Sequence, residues 1–298
     1  MKKINFPRLE MDRPLAALST FNIGGPADFF YKAQSEKDLI TLVRLAKEEK
    51  IPFVVIGGGS NLLFDDRGFR GLVIKMADQS LKIKQGGKIT VAAGMFLGKL
   101  VNLCTQKGLA GLEFAAGVPG TLGGAIVGNA GAWQESIGEK VLRVKVLDEK
   151  GEIRWLEQKD CHFEYRDSLF KKEQLIVLGA ELFLKQEDPQ IIKKRVEENL
   201  NKRLSQPKGP SAGSVFINPL PDSASVMIEK CGFKGYQIGG AKISDQHANF
   251  IINTGGAKAK DVLELIALVE KKVKQQFGVD LKMEIKFLKE KQEPVLKK

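Results

Sequence analysis

The sequence predicts a mixed α+β chain of two domains, on three observations. Short apolar runs of strand type alternate with amphipathic stretches of helix type through the first two thirds of the 298 residues. A Pro/Gly cluster, Gln206-Pro207-Lys208-Gly209-Pro210, then interrupts the pattern. Beyond it, helices and strands begin again as a separate α+β unit. The expected division is 1–205 and 206–298, which the length comfortably supports.

Each element has a local reason. Glu36 to Lys50 reads as an amphipathic helix with Leu39, Leu42, Val43 and Ala46 on one face. Phe53-Val54-Val55-Ile56 and Leu72-Val73-Ile74 read as short buried strands. Leu97, Leu100, Val101 and Cys104 share a helix face, and that helix is expected to end near Gly108. Leu142, Val144 and Val146 alternate with Arg143 and Lys145, which predicts a half-exposed strand. Leu175 to Leu184 is a further strand segment. Pro189 to Leu204 is a polar helix, with Asp188 as N-cap and Pro189 at the first helical position.

In the second unit Ser214 to Asn218 and Asn249 to Asn253 read as strands. Ala224, Met227, Ile228 and Cys231 mark one helix face, and Val262, Leu265, Ile266, Val269 and Val273 a longer one. Leu281, Met283, Ile285 and Phe287 alternate and predict a single final strand. Lys289 to Lys298 is charged, contains Pro294 and is expected to fray.

Composition excludes several classes. Two histidines, His162 and His247, cannot build a multi-histidine metal site, and no metal is expected. Three widely spaced cysteines, Cys104, Cys161 and Cys231, contain no CxxC and suit free thiols in a reducing cytoplasm. The basic N-terminus lacks the apolar core of a signal peptide, and no apolar run approaches the ~20 residues of a membrane span. A soluble cytoplasmic protein is expected. The net charge of +11 suggests an anionic partner, either nucleic acid or a phosphorylated ligand.

The 31 glycines exceed the usual share of about 7% and are clustered. One cluster, Gly57-Gly58-Gly59-Ser60-Asn61, directly follows an apolar strand. The other runs from Gly117-Val118-Pro119-Gly120-Thr121-Leu122-Gly123-Gly124 to Gly128-Asn129-Ala130-Gly131. Such backbone can converge its N–H groups on phosphate oxygens. It is not a Rossmann fingerprint, because Leu62 stands where the third glycine would be, and no P-loop motif is present. Tight turns without a ligand would also account for one cluster alone.

Taken together, the motifs carry a resemblance. Ser19-Thr20-Phe21-Asn22-Ile23-Gly24-Gly25-Pro26-Ala27, the two glycine segments, Tyr165-Arg166-Asp167-Ser168, Gly213-Ser214-Val215-Phe216-Ile217-Asn218-Pro219, Gly235-Tyr236-Gln237-Ile238-Gly239-Gly240-Ala241 and Phe277 to Glu284 occur in family order. In that order they resemble the UDP-N-acetylenolpyruvoylglucosamine reductase family of peptidoglycan precursor synthesis. The resemblance spans about residues 19–288. It implies a two-lobed FAD-binding domain of the p-cresol methylhydroxylase/vanillyl-alcohol oxidase type, with lobes about 1–80 and 81–205. A C-terminal α+β substrate domain would cap the flavin. Ser214 follows Arg166 by only 48 positions (214 − 166) and Tyr236 is the sole tyrosine after Tyr165, which looks like the shorter subtype.

The implied reaction is NADPH-dependent reduction of an enolpyruvyl ether through noncovalent FAD. Cofactor contacts implied by the motifs are Asn22, Ile23, Gly57, Gly58, Gly59, Ser60, Asn61, Gly117, Pro119, Gly120, Thr121, Gly123, Gly124, Asn129 and Gly131. Arg166 would grip the substrate carboxylate, since a guanidinium stays charged and offers two donors. Ser214 would protonate the α-carbon, and Glu284 would assist at the carboxylate end. Tyr165, Arg166, Arg203, Asn218 and Lys286 are the implied substrate contacts. The family often has arginine where Lys286 stands.

From the residues alone these roles stay open. Ser214 by itself reads first as a strand-cap serine and has no G-x-S-x-G or nearby histidine. Lys282, Glu284 and Lys286 share a strand face that is usually solvated. Arg203 could be a phosphate ligand or a helix-end arginine on terminal carbonyls. His247 and the cysteines are assigned to packing.

The chain is expected to act as a monomer on a UDP-sugar and NADPH, without nucleic acid or membrane insertion. An alcohol-oxidising flavoprotein of the same fold is the second reading. Neither glycine segment holds the His or Cys that commonly tethers its FAD. A basic nucleic-acid-binding protein is the third, resting on charge alone without interleaved aromatics.

Overall fold

The computed structural model describes residues 6–291. Met1–Asn5 and Gln292–Lys298, with most of the expected tail, lie outside the described residues.

The first lobe is built on a crossover. Strand Pro26–Ala33 leads into helix Glu36–Glu48 and back to Phe53–Ile56, and both strands flank Phe69–Met76 in parallel. Glu10–Pro14 adds an antiparallel edge. The helix starts where expected because the Ser35 hydroxyl accepts the Asp38 N–H, with Glu36 and Asp38 in its first turn. Its Leu39, Leu42, Val43 and Ala46 pack on Phe29, Tyr31, Leu72 and Ile74. The opposite sheet face packs Phe30, Ile56 and Val73 against Leu15, Phe64 and Leu288.

The second sheet is antiparallel throughout, in the order Ile153–Glu157, Val141–Leu147, Ile176–Phe183, Lys88–Ala92, Leu81–Ile83. Its central strand Ile176–Phe183 is buried on both faces, which explains its largely apolar composition, and its one charge, Glu181, is paired with Lys84 and Arg143. Helices Leu97–Gln106 and Leu122–Val127 share one core with both sheets. Helix Pro189–Lys202 is capped by Asp188, whose side chain accepts the Gln190 N–H.

Beyond it, helix Ala259–Phe277 buries Val262, Leu265, Ile266, Val269 and Val273 against helix Ala224–Lys230 and a three-stranded sheet of Gln237–Ile238, Ala241–Ile243 and Ile251–Asn253. Phe21, Ile23 and Leu63 enter this core from the N-terminal part of the chain. Asp66 caps the long helix, accepting the N–H groups of Ala259 and Lys260. Hydrophobic and capping contacts therefore both cross between the two units.

The expected single final strand is instead two pieces. Lys282–Met283 pairs antiparallel with Phe216–Ile217, and Lys286–Leu288 pairs parallel with Leu62–Phe64. Glu284 and Ile285 lie between, where the chain changes partners. Strand alternation fails there: Ile285 is buried while Met283 is 41% exposed. The tail also departs from expectation at its start. The Glu290 carbonyl accepts the Arg70 N–H, and its carboxylate pairs with Arg67 at 2.9 Å. No described helix is long and apolar enough to cross a membrane.

Candidate active site

The two glycine segments meet face to face. A Cβ on Gly57 would stand 2.3 Å from Thr121 Oγ1, and one on Gly58 2.8 Å from Gly120 Cα. A Cβ on Gly120 would stand 2.7 Å from Ser60 Oγ, which donates to the Pro119 carbonyl at 3.0 Å. Gly59 has φ +71°, and a Cβ there would strike the Leu18 carbonyl oxygen. Only glycine permits this approach of the lobes. The Thr121 hydroxyl is buried with no hydrogen-bond partner. A buried hydroxyl left unpaired is costly, so this one is poised for a ligand atom.

A rail follows the second segment. Val127 accepts the Ser168 hydroxyl at 2.7 Å. Asn129 donates to the Glu164 carbonyl at 2.7 Å, and Gly131 accepts from Arg166 Nη1 at 3.0 Å. These three bonds hold a tight turn in which Glu164 and Asp167 exchange backbone hydrogen bonds, with Tyr165 and Arg166 at its tip. Arg166 takes φ +57°, a left-handed conformation that disfavours a β-carbon. Its guanidinium thereby reaches Glu284, with Nε 3.3 Å from Oε1. That contact is an ion pair without hydrogen-bond alignment, since Nε has no hydrogen-bond partner.

Glu284 sits at the partner switch of the C-terminal strand. Its N–H donates to the Val215 carbonyl at 2.8 Å, and its carbonyl accepts from Asn61 Nδ2 at 3.0 Å. The Asn61 carbonyl in turn accepts the Lys286 N–H at 2.9 Å. Burial raises the Glu284 carboxyl above its ordinary value, opposed by Arg166 and Lys171. Lys286 is exposed, yet the surrounding protein lowers its ammonium, aided by repulsion from Lys171. Beside Arg166 opens a cleft of about 520 Å³, lined by Gly131, Trp133, Glu135, Phe163 and Tyr165. That size suits a small-molecule ligand.

Comparison with known proteins decides the family. Residues 191–288 match the family model of the UDP-N-acetylenolpyruvoylglucosamine reductase C-terminal domain, and residues 27–157 match an FAD binding domain. The UDP-N-acetylenolpyruvoylglucosamine reductase of Caldanaerobacter subterraneus subsp. tengcongensis is 44% identical over 286 residues, covering 95% of each chain. That of Bacillus subtilis is 40% identical over 292 residues, covering 97% of this chain and 96% of its own. The chain belongs to the UDP-N-acetylenolpyruvoylglucosamine reductase family. The crystal structure of UDP-N-acetylenolpyruvylglucosamine reductase from Thermus caldophilus superposes with a TM-score of 0.79 at 33% identity, covering 94% of this chain and 98% of its own.

Membership in the reductase family makes this chain an FAD-dependent oxidoreductase. Both glycine segments fall inside the FAD-binding match, and the orphan Thr121 hydroxyl where they meet fits a flavin nucleotide. Gly57, Gly58, Gly59, Gly120 and Thr121, at that contact, are the residues that would hold it. Other expected cofactor residues make contacts away from that meeting point. Gly117 makes room for Arg203, Gly123 for Ala93, and Gly131 for the Glu135 carbonyl. Gly124 has only the Thr121 hydroxyl nearby, at 3.8 Å from its would-be Cβ. Both ends of the Asn129 amide are used, its Oδ1 accepting the Gly138 N–H. Ile23 packs in the C-terminal core, while Asn22 has φ +55° and its carbonyl accepts from Asn253.

Ser214 lies two residues before strand Phe216–Ile217, which is shorter than the expected Ser214 to Asn218, in a segment held from both sides. It bridges Phe250, and the next residue binds Asn249 on one side and Glu284 on the other. Asn218 accepts the Ala224 N–H at 3.1 Å and so fixes the following helix. Tyr165 is 49% exposed at the cleft, with the Arg166 guanidinium 5.8 Å from its ring. Of its two expected readings, Arg203 is not the helix-end arginine. It donates to the Ala116 carbonyl at 2.8 Å, not to its own helix end, and stacks near Trp133 at 5.6 Å. Burial and the nearby Arg166 lower its guanidinium.

Sequence reasoning missed Asn249, Trp133 and Lys171. Asn249 is buried and clamps Phe216 through both ends of its amide, at 2.9 and 2.8 Å. A polar residue opening an apolar strand was its only local sign. His247 serves packing as expected, its Nδ1 accepting the Asn249 N–H. The described residues contain no cluster of His, Cys, Asp and Glu able to hold a metal.

Proposed function

We propose that this chain reduces UDP-N-acetylenolpyruvoylglucosamine to UDP-N-acetylmuramate with NADPH as reductant, as a cytoplasmic enzyme of peptidoglycan precursor synthesis. Residues 1–205 bind the cofactor in two lobes, and 206–298 carry the substrate-side residues. The observation that supports this most directly is Asn61. It ends the first glycine segment and bonds the Glu284 carbonyl, so the Arg166–Glu284 pair stands beside the cofactor cradle.

FAD, held by the glycine segments around Thr121, would supply the hydride chemistry between NADPH and the terminal methylene of the enol ether. Negative charge then gathers on the substrate carboxylate as an enolate. Arg166 stabilises it, its guanidinium aimed by the Gly131 carbonyl and by Glu284. Lys286 adds a second cation. Ser214 gives its proton to the α-carbon from the segment held on both sides. Tyr165 and Asn218 bind the sugar nucleotide.

The test is anaerobic spectroscopy of the purified protein. It is expected to be yellow, to release FAD on acid precipitation, to bleach with NADPH and to recover colour with the UDP-sugar. A colourless protein that takes up no FAD would sink the reading. Ser214→Ala is expected to leave bleaching by NADPH near wild type and slow colour recovery by roughly 10²–10⁴-fold. Equal loss in both halves would make Ser214 structural.

A further inference from the structure

Arg166 must hold an unfavourable backbone conformation to do its work, and one side chain outside the described machinery is placed to keep it there. The short helix Leu169–Lys172 follows the Tyr165-Arg166 turn and folds its lysines back onto it. Lys171 Nζ donates to the Arg166 carbonyl at 2.5 Å. Lys172 pairs with Asp167 at 2.7 Å, at the foot of the same turn. A non-glycine residue with φ near +57° is strained, so it persists where its neighbours over-determine it. A charged donor on the carbonyl of that very residue is such a constraint.

We propose that Lys171 is a positioning residue for Arg166, locking its left-handed backbone so that the guanidinium spans Glu284 and the Gly131 carbonyl at once. This rests on the catalytic reading of Arg166 above. Lys171 also contributes charge. Its ammonium opposes the burial of Glu284 alongside Arg166 and repels Lys286, so two cations, Arg166 and Lys171, act on the one carboxylate. A substrate carboxylate entering this group meets a field that Lys171 strengthens without touching the reacting atoms.

The test uses the FAD-loaded full chain and the variants Lys171→Met, Lys171→Gln and Lys171→Arg. Lys171 is exposed, so flavin content and thermal midpoint are expected to match wild type. In reoxidation of the NADPH-reduced enzyme, K171M and K171Q are expected to raise the half-saturating UDP-sugar concentration about tenfold. The pH limb set by Glu284 is expected to move upward in both, because one of the two cations opposing its burial is gone. K171R is expected to recover most of both effects. Wild-type half-saturation and an unmoved limb in K171M and K171Q would overturn the assignment, as would K171R behaving like K171M. Failure of the catalytic reading looks different: Arg166→Lys would then reoxidise like wild type whatever Lys171 does.

Discussion

Arg166 Nε and Glu284 Oε1 lie 3.3 Å apart, joining a turn of the second lobe to the break in the C-terminal strand. Neither residue owes its place to the other. The turn is tied to the 127–131 rail, and Glu284 is bonded through its backbone to Val215 and Asn61. The pair is therefore presented by two independent scaffolds, and it closes only when both domains are in place.

The pair makes a prediction of its own. Glu284→Gln and Arg166→Lys are each expected to slow flavin reoxidation by the UDP-sugar by about 10²–10³-fold, the usual effect of losing one charge-stabilising group. Arg166 lowers the Glu284 carboxyl against the burial that raises it. The ionised pair is thus lost as pH falls through the Glu284 value. Removing the Arg166 charge with Arg166→Met is expected to shift the acid limb of the residual rate upward. Rapid-mixing absorbance across pH reads both, and a Glu284→Gln enzyme with wild-type rate and limb would refute the role.

Glycines separate ligand geometry from helix propensity. Gly59→Ala meets strain at φ +71° and a backbone carbonyl in the way, so the Thr20–Gly59 contact must open. It is expected to cost more than ~1 kcal/mol and to lower FAD occupancy, read as the flavin-to-protein absorbance ratio. Gly98 lies in helix Leu97–Gln106 with open space where its Cβ would be. Gly98→Ala is expected to gain about 0.5–1 kcal/mol in denaturant unfolding with FAD unchanged. Equal flavin loss in both variants would argue against a cradle at Gly59.

His247 should make the substrate side acid-sensitive. Burial lowers its pKa from the ordinary histidine value, with Lys234 adding to the shift and Glu229 opposing it. Its neutral Nδ1 accepts the Asn249 N–H, and Asn249 in turn clamps the strand after Ser214. The folded value is depressed, so the unfolded chain takes up the proton first. The stability His247 contributes is present above about pH 6.5 and is lost as pH falls from there through the folded value. Between pH 8 and 5.5 the thermal midpoint of wild type is expected to fall further than that of His247→Gln. Identical slopes would exclude the histidine as the cause.

The local elements were legible in the sequence because their causes are local. Helix Glu36–Glu48 shows its Ser35 cap and apolar stripe within one window, and helix Pro189–Lys202 its Asp188-Pro189 start. The final strand was misread for the complementary reason. Alternation over Leu281 to Phe287 describes one pleated face, but the chain changes partner at Glu284, from Phe216–Ile217 to Leu62–Phe64. Pairing partners so distant in sequence leave no mark in a local window.

The sequence by itself determined the α+β class, the main helices and the two glycine clusters, since caps, periodicity and chain flexibility act between near neighbours. With its motifs read in order it also pointed to the family. Only the tertiary structure decided which glycines face one another, which of them are filled by protein, and that Arg166, Glu284 and the unforeseen Lys171 converge. Those facts depend on close packing between segments far apart in the chain, which no local window of sequence records.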